Sequence, residues 1–308
     1  TDRVIDDNKH TVILVKDTLK ALQDMAHYLR NHRDVIVVGI TGSVGKTSTR
    51  DMVYSVIKQQ YRTLKTEGNY NNNIGLPLTI LRLQDEQVMV LEMGMNHLKE
   101  MEELSLIANP DISAITNVGT AHIGELGSRE NILKAKLEII AGMKDGSTLV
   151  INNDNDMLSK VQIDRLQLLT VAVDNDGDFK ADNVILKDDH SEFEIEYENK
   201  KYSVYVPVPG KHFILNALIA IAIGHKLNIS IDKCIQGIKE FELTKKRMDV
   251  IELKNKITLI DGTYNASEDS MKSSLDVLAT YNRRKVAVLA DMLELGDFSQ
   301  EIHQRVGE

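Results

Sequence analysis

The residues with the clearest chemical capacity are Gly39-Ile40-Thr41-Gly42-Ser43-Val44-Gly45-Lys46-Thr47-Ser48. An apolar run, Val35 to Val38, leads into them, and a helical pattern follows. The order predicts a strand, a glycine-rich turn and a helix N-terminus. Backbone N–H groups in such a turn point at phosphate oxygens, and the helix dipole favours negative charge there. Thr41, Gly42, Ser43, Val44, Gly45 and Ser48 then form the cradle. Lys46 is spaced to reach the β- and γ-phosphates, and the Thr47 hydroxyl to sit on Mg²⁺. The expected ligand is a nucleoside triphosphate. One position departs from the G-x-x-x-x-G-K-[ST] pattern, because its first glycine is Ile40 here. A structural glycine turn is the alternative, but a G-K-T that follows a β-branched strand and opens a helix favours the nucleotide.

Further candidates sit where strands should end. Glu92 closes the apolar run from Val88, ahead of Met93-Gly94-Met95-Asn96-His97. Ligands of open α/β sheets lie beyond the carboxyl ends of the strands. A carboxylate there is a natural Mg²⁺ ligand, against the plainer reading of a surface glutamate. His122, in Thr116-Asn-Val-Gly-Thr-Ala-His122, is placed similarly and is read as a metal or phosphate contact. Lys136 falls in an apolar helical stripe with Ile132, Leu133, Leu137, Ile139 and Ile140. Either it snorkels to water, or it is a partly buried amine with a lowered pKa. Such an amine can take up CO₂ to give a carbamate, an oxygen ligand suited to Mg²⁺. The sequence leaves these two readings level. Gly68 to Pro77 holds Asn69, Asn71 and Asn72, which are either donors to anionic oxygens or parts of a turn. Pro209-Gly-Lys-His212 with Asn216 opens a helix, and Asp261 to Ala266 follows another strand.

Positioning these groups requires alternating strands and helices. Periodicity predicts strands at 12–15, 35–40, 88–92, 112–116, 148–151 and 167–173. Helices are predicted at 17–30, 46–59, 98–107 and 129–142, the last capped by Ser128, with 117–127 a loop. Such alternation implies a mostly parallel sheet with helices on both faces. The period then changes to two at 191–198 and 201–206, with Asn199-Lys200 as the turn, which predicts an antiparallel hairpin. Helices at 212–226 and 231–241 follow. From about Met248 a new unit is expected, with strands 257–261 and 285–290 and helices 268–280 and 299–306. Two β/α steps make a poor independent fold, so the chain is read as ending inside this unit. The fold class expected is α/β: a P-loop central domain with a mostly parallel sheet and an added antiparallel hairpin, then a partial Rossmann-like domain.

The 308 residues suffice for about two domains. With 46 acidic against 37 basic residues and a net charge of −9, the chain lacks the basic footprint of a nucleic-acid binder. The single cysteine, Cys234, excludes an internal disulfide framework, reads as a small core residue, and suits a reducing cytoplasm. No apolar run approaches the roughly 18 residues of a membrane span, and no signal peptide is visible.

Several motifs in order resemble the Mur ligases, over nearly the whole chain. They are Thr41 to Thr49, Gly68-Asn-x-Asn-Asn-x-Ile-Gly-x-Pro77, Glu92-Met-Gly-Met-Asn-His97, Asn117 to His122, Ala135-Lys136, Pro209 to His212, Asp261 to Ala266 and Asp291-Met-Leu-Glu-Leu-Gly296. The last two, with Val15 to Gln23, point to the branch that adds D-alanyl-D-alanine to a UDP-N-acetylmuramoyl-tripeptide. The short Mur-type loop also accounts for Ile40. The resemblance implies that 1–30 is the tail of a UDP-sugar-binding domain, 31–246 the ATP-binding central domain, and 247–308 the start of the C-terminal domain. It implies ATP-dependent amide bond formation through an acyl phosphate, with two Mg²⁺ ions. Thr47 and Glu92 would hold one ion, and His122 and carbamylated Lys136 the other. Asn216 would contact adenine, Asp261 the ribose region, and Arg247 a nucleotide phosphate, or it would act as a hinge. Asn69, Asn71, Asn72 and His97 would meet substrate. A monomer is expected. The family has Asn directly after the Gly-Lys-His histidine, whereas this chain has Phe213. Two alternatives stand beside this reading. One is another superfamily ligase, such as a folylpolyglutamate synthase or a lysine- or diaminopimelate-adding enzyme. The other is a nucleotide-binding module without ligase activity. A P-loop GTPase would need N-K-x-D, which does not occur.

Overall fold

Strands of a parallel sheet are covered on both faces, so they read as unbroken apolar runs. That is the pattern of β1 (Ile36–Thr41), β3 (Val88–Glu92), β4 (Ile112–Ile115) and β5 (Thr148–Asn152), all buried almost throughout. A computed structural model describes residues 1–5 and 9–308. With β2 (Thr63–Lys65), β6 (Gln167–Ala172) and β7 (Phe179–Lys180), these strands make one sheet in the order β2-β3-β1-β4-β5-β6-β7, and every pairing is parallel.

The helices between them form two apolar layers. On one face lie α1 (Thr18–Asn31), α3 (Gly75–Ile80), α4 (Glu100–Ala108), α5 (Ile123–Leu126) and α6 (Arg129–Leu137). The other face is covered by α2 (Lys46–Ile57), α7 (Lys211–Lys226) and α8 (Ile231–Lys239). A second sheet, β8 (Asp182–Leu186), β9 (Ser191–Tyr197) and β10 (Lys200–Val206), is antiparallel. The C-terminal unit holds β11 (Asp249–Leu253), β12 (Ile257–Asp261), α9 (Glu268–Thr280) and α10 (Ser299–Gly307).

Several local expectations change. Residues 12–15 form no strand, although the Val15 amide donates to the Thr1 carbonyl. The hairpin becomes a three-stranded sheet, and its turn falls at Glu198-Asn199, both in the left-handed region. The loop 117–127 contains α5, and the helix expected to reach 142 leaves α geometry after Leu137, continuing as a 3₁₀ turn to Ile140. The largest correction concerns the last unit. There β12 pairs antiparallel with β11, and 285–290 forms no ladder among the described residues.

The C-terminal unit docks on the loop after β4 through two glycines. A Cβ on Gly119 would lie 1.7 Å from Asp269 Oδ2, and one on Gly124 would lie 2.6 Å from the Gly296 amide nitrogen. The Gly124 amide donates to the Glu294 carbonyl at 3.1 Å. Nearby, Thr120 Oγ1 donates to Glu268 at 3.2 Å, and Glu268 also takes Arg305 at 2.8 Å and Lys272 at 2.9 Å. Burial alone would raise the Glu268 carboxyl, but bonds from Arg305 and Lys272 outweigh it and push it from 4.5 down to about 2. A depressed carboxyl contributes stability above its unfolded pKa and loses it as pH falls through the folded one. Thermal stability is therefore expected to fall between about pH 4.5 and pH 2. Glu268→Gln should flatten that limb of a Tm-against-pH curve. An unchanged acid limb in this variant would remove Glu268 from the account.

Candidate functional site

The turn after β1 owes its shape to two glycines with positive φ, Gly42 at 153° and Gly45 at 85°. A Cβ on Gly42 would lie 1.9 Å from Thr116 Oγ1, so no other residue fits. The turn after the neighbouring strand β4 holds it from the side. The Ser43 amide donates to the Asn117 carbonyl at 3.1 Å, and the Val44 amide to Asn117 Oδ1 at 2.8 Å. Thr116 Oγ1 donates to the Val44 carbonyl at 2.6 Å. Gly45 then caps α2, whose first-turn amides have no acceptor within the helix and are free for phosphate oxygens.

Lys46 folds over its own loop, donating to the carbonyls of Gly42 at 2.8 Å and Ser43 at 3.4 Å. Burial lowers its pKa, Glu92 pulls it back up, and Arg247 lowers it further. Thr47 Oγ1 donates to Glu92 Oε2 at 2.9 Å, and Asn71 Nδ2 to Glu92 Oε1 at 2.9 Å. The Glu92 carboxylate is 2 % exposed. It is thus fully oriented, with a hydroxyl beside it, which suits a hard cation that takes oxygen ligands.

Lys136 is 2 % exposed and sits among Ile132, Ala135 and Ile139, so it does not snorkel. Its ammonium makes no hydrogen bond or ion pair with the described residues. Burial first, and the charge of Lys46 second, push its pKa well below the usual lysine range. His122 has φ 65° and stands at the N-cap of α5, with Nδ1 2.5 Å from Glu294 Oε2. Burial favours its neutral ring, Glu294 opposes this, and the charges of Lys46 and Lys136 reinforce it. Asn216, on α7, accepts from Thr49 Oγ1 at 3.0 Å, while its Nδ2 is buried without an acceptor. Its Oδ1 lies 3.3 Å from where a Gly45 Cβ would be.

Lys46, Asn71, Glu92 and His122 line a cavity of about 450 Å³, whereas Thr47, Lys136 and Asn216 are not among its lining residues. Its lining includes Ser43 to Lys46, Asn69, Asn71, Glu92 and His122, and, from later in the chain, Phe213, Lys246, Arg247, Tyr264 and Ser270. The Arg247 guanidinium lies over the Tyr264 ring at 3.8 Å, and its buried Nε has no partner among the described residues. His212 also lines the cavity, and burial holds its ring neutral, down to about 4. A second cavity of about 480 Å³, between Pro207, Phe241 and Tyr281, contains none of the candidate residues.

Three candidates are engaged elsewhere. Asn72 Oδ1 accepts from the Ile74 and Gly75 amides at 3.2 and 2.8 Å, capping α3. His97 is exposed and pairs with Glu100 at 3.0 Å and Glu125 at 3.6 Å. The Asp261 carboxylate takes the Thr263 amide at 3.0 Å and hydroxyl at 2.7 Å. Thr41 lies within β1 with its Oγ1 buried and unpartnered. Arg50 and Glu294 reach Glu92 and His122 although no motif had marked them out as ligands.

A glycine-rich turn between an inner strand and a helix, closed by a cap of polar groups from a second unit, defines a P-loop α/β protein. Residues 40–224 match the Mur ligase middle domain, and 246–308 match the Mur ligase glutamate ligase domain. The chain belongs to the Mur ligase family. It is 39% identical over 302 residues to the UDP-N-acetylmuramoyl-tripeptide--D-alanyl-D-alanine ligase of Bacillus subtilis, covering 97% of this chain but 65% of that protein. It thus spans slightly under two thirds of that relative's length. Among solved structures, MurF from Acinetobacter baumannii superposes with a TM-score of 0.93 at 32% identity, over 99% of this chain and 68% of that one. MurF ligase from Thermotoga maritima, solved in complex with ADP, gives 0.90 at 29% identity, over 99% and 70%.

Proposed function

We propose that this chain carries the ATP-binding part of a ligase that joins D-alanyl-D-alanine to UDP-N-acetylmuramoyl-tripeptide. The observation that carries the reading is the convergence on one cavity of the phosphate loop, of Glu92, to which Thr47 donates, and of Arg247 with Tyr264 from the second matched region. In this reading 31–246 is the central domain, 247–308 the beginning of the C-terminal domain, and 1–30 the tail of a UDP-sugar domain, a stretch that includes 6–8, outside the described residues.

Lys46 would leave its loop carbonyls and take the β- and γ-phosphates. Thr47 and Glu92 would hold one Mg²⁺. An ammonium is no ligand for a cation, so Lys136 fits a second ion only once modified. Its neutral amine would add to CO₂ and lose a proton, and the resulting carbamate, with His122, would hold that ion. Bound Mg²⁺ would supply charge neutralisation at the transferring phosphoryl group. Asn216, with its unpartnered Nδ2 near Phe213, would meet adenine. Arg247 would meet a phosphate or act as the hinge, and Asp261 would lie near the ribose once freed from Thr263. Asn69 and Asn71 would line the approach of the tripeptide, and Asn72 and His97 would join them once freed from the Gly75 amide and from Glu100. Its carboxylate attacks the γ-phosphorus and ADP departs. The amine of the dipeptide then adds to the acyl phosphate and expels phosphate, with the groups held in line.

The test compares dipeptide-dependent ADP release by the 308-residue chain and by the protein extended to its relatives' length. Little or no turnover is expected from the former and ligation from the latter. Equal turnover would overturn the domain assignment. Turnover with a single amino acid but not with the dipeptide would assign the chain to another ligase of the superfamily.

A further inference from the structure

Behind the cavity wall, Glu92 is joined to two buried charges, Arg50 and Asp51, for which the functional reading has no use. Arg50, Asp51 and Glu92 have side chains only 2–3 % exposed. Arg50 donates through Nη1 to Glu92 Oε2 at 3.2 Å and to the Gly68 carbonyl at 3.1 Å. Its Nε and Nη2 donate to Asp51 Oδ1 at 3.0 and 2.8 Å. Asp51 also takes Lys65 Nζ at 2.7 Å and, on its other oxygen, the Thr244 hydroxyl at 2.5 Å. Two cations thus balance two carboxylates before any ion or nucleotide arrives.

Buried ion pairs add little net stability, because desolvation cancels most of the attraction. What such a group does supply is fixed geometry. One planar guanidinium grips three pieces of the wall. The first is the Glu92 carboxylate, and the second is Gly68, where the segment bearing Asn69 and Asn71 begins. The third, through Asp51 and Thr244, is the linker that carries Lys246 and Arg247 into the cavity. Glu92 and Asn71 line the cavity, whereas Arg50 does not, so it acts from behind and touches no ligand.

We infer that Arg50 is a positioning residue that orients Glu92 for a divalent cation and keeps the asparagine segment in register with it. The inference rests on the reading of Glu92 as a Mg²⁺ ligand. Lysine cannot replace it fully, because an ammonium is a point charge without the fork that reaches Asp51, Gly68 and Glu92 together.

The experiment measures ADP binding to the 308-residue chain by calorimetry, with MgCl₂ and with EDTA. The wild type should bind more tightly with Mg²⁺. Residues that orient metal ligands typically matter by about 10–100-fold in metal affinity. Arg50→Lys should therefore lose about 10-fold of the Mg²⁺ enhancement and Arg50→Gln about 100-fold, with the EDTA affinity unchanged in both. Loss of packing alone would weaken both arms equally, and that outcome overturns the inference. So does a wild-type enhancement in either folded variant. Should Arg50→Gln fail to fold, as a circular dichroism melt would reveal, Arg50→Lys decides, since it keeps the buried charge. A wild type indifferent to Mg²⁺ overturns the reading of Glu92 and the inference with it. A normal wild-type enhancement that survives in the variants removes only the role of Arg50.

Discussion

Lys46→Ala is expected to remove most of the rise in melting temperature that ATP with Mg²⁺ confers on the 308-residue chain. A ligand that binds only the folded state stabilises it by mass action, about 2.7 kcal/mol at a hundredfold excess over Kd. Lys46 is the cation of the loop, and its bonds to Gly42 and Ser43 are replaceable by phosphate oxygens. Alanine leaves the amide cradle in place but removes that charge, so affinity falls steeply while the fold persists. The free variant should keep its fold, because Lys46 is half-buried and bonds only to carbonyls of its own loop. Differential scanning fluorimetry with and without ATP·Mg²⁺ checks both statements. Equal ligand shifts in the two proteins would sink the assignment of the loop.

Lys136→Ala is expected to abolish ligation in the extended protein while ATP binding persists. The side chain is buried, unpaired among the described residues, and driven towards the neutral amine by its surroundings, chiefly burial. Its replacement removes the proposed oxygen ligand without touching the phosphate loop. Acetate, diffusing into the space left behind, should restore part of the rate. Lys136→Arg should stay inactive, because a guanidinium cannot become an anionic ligand. Lys136→Met serves as the folding control. It keeps the volume and drops a buried unpaired amine, so it should melt at or above the wild type and still fail to ligate. Ligation at the wild-type rate by Lys136→Ala, or a bare amine in an experimental density map with ATP·Mg²⁺, would end the carbamate proposal.

The phosphate loop and the buried strands follow from short-range rules. Glycines at 42 and 45 permit the positive φ that turns β1 into α2, and both rules and residues lie within one decapeptide. The apolar runs at β1, β3, β4 and β5 announce strands covered on both faces. The stripe around Lys136 announced a helix face that packs inward, although sequence left open whether the amine followed it. By contrast, α3 was hidden in an asparagine-rich segment that reads as a turn. Its start depends on Asn72 capping and on a proline, Pro77, tolerated in the first turn.

The sequence by itself determined the phosphate loop, the alternating β/α layers, the antiparallel insertion and the resemblance to the Mur ligases, because each depends on residue types at fixed local spacing. Only the tertiary structure decided what depends on partners distant in the chain. It paired β12 with β11 instead of with 285–290, since strand pairing is a competition among edges that no single strand records. It buried Lys136 with Ile132 and Ala135 on the inward face of α6, whose other face leaves Asn131 and Lys134 exposed. It brought Arg50 to Glu92 and Gly68, 42 and 18 residues away, where a helix pattern alone shows only one more cation. It also spent Asn72, His97 and Asp261 on neighbours of their own, because a polar side chain bonds to the nearest competent partner, and only the folded chain fixes which partner that is.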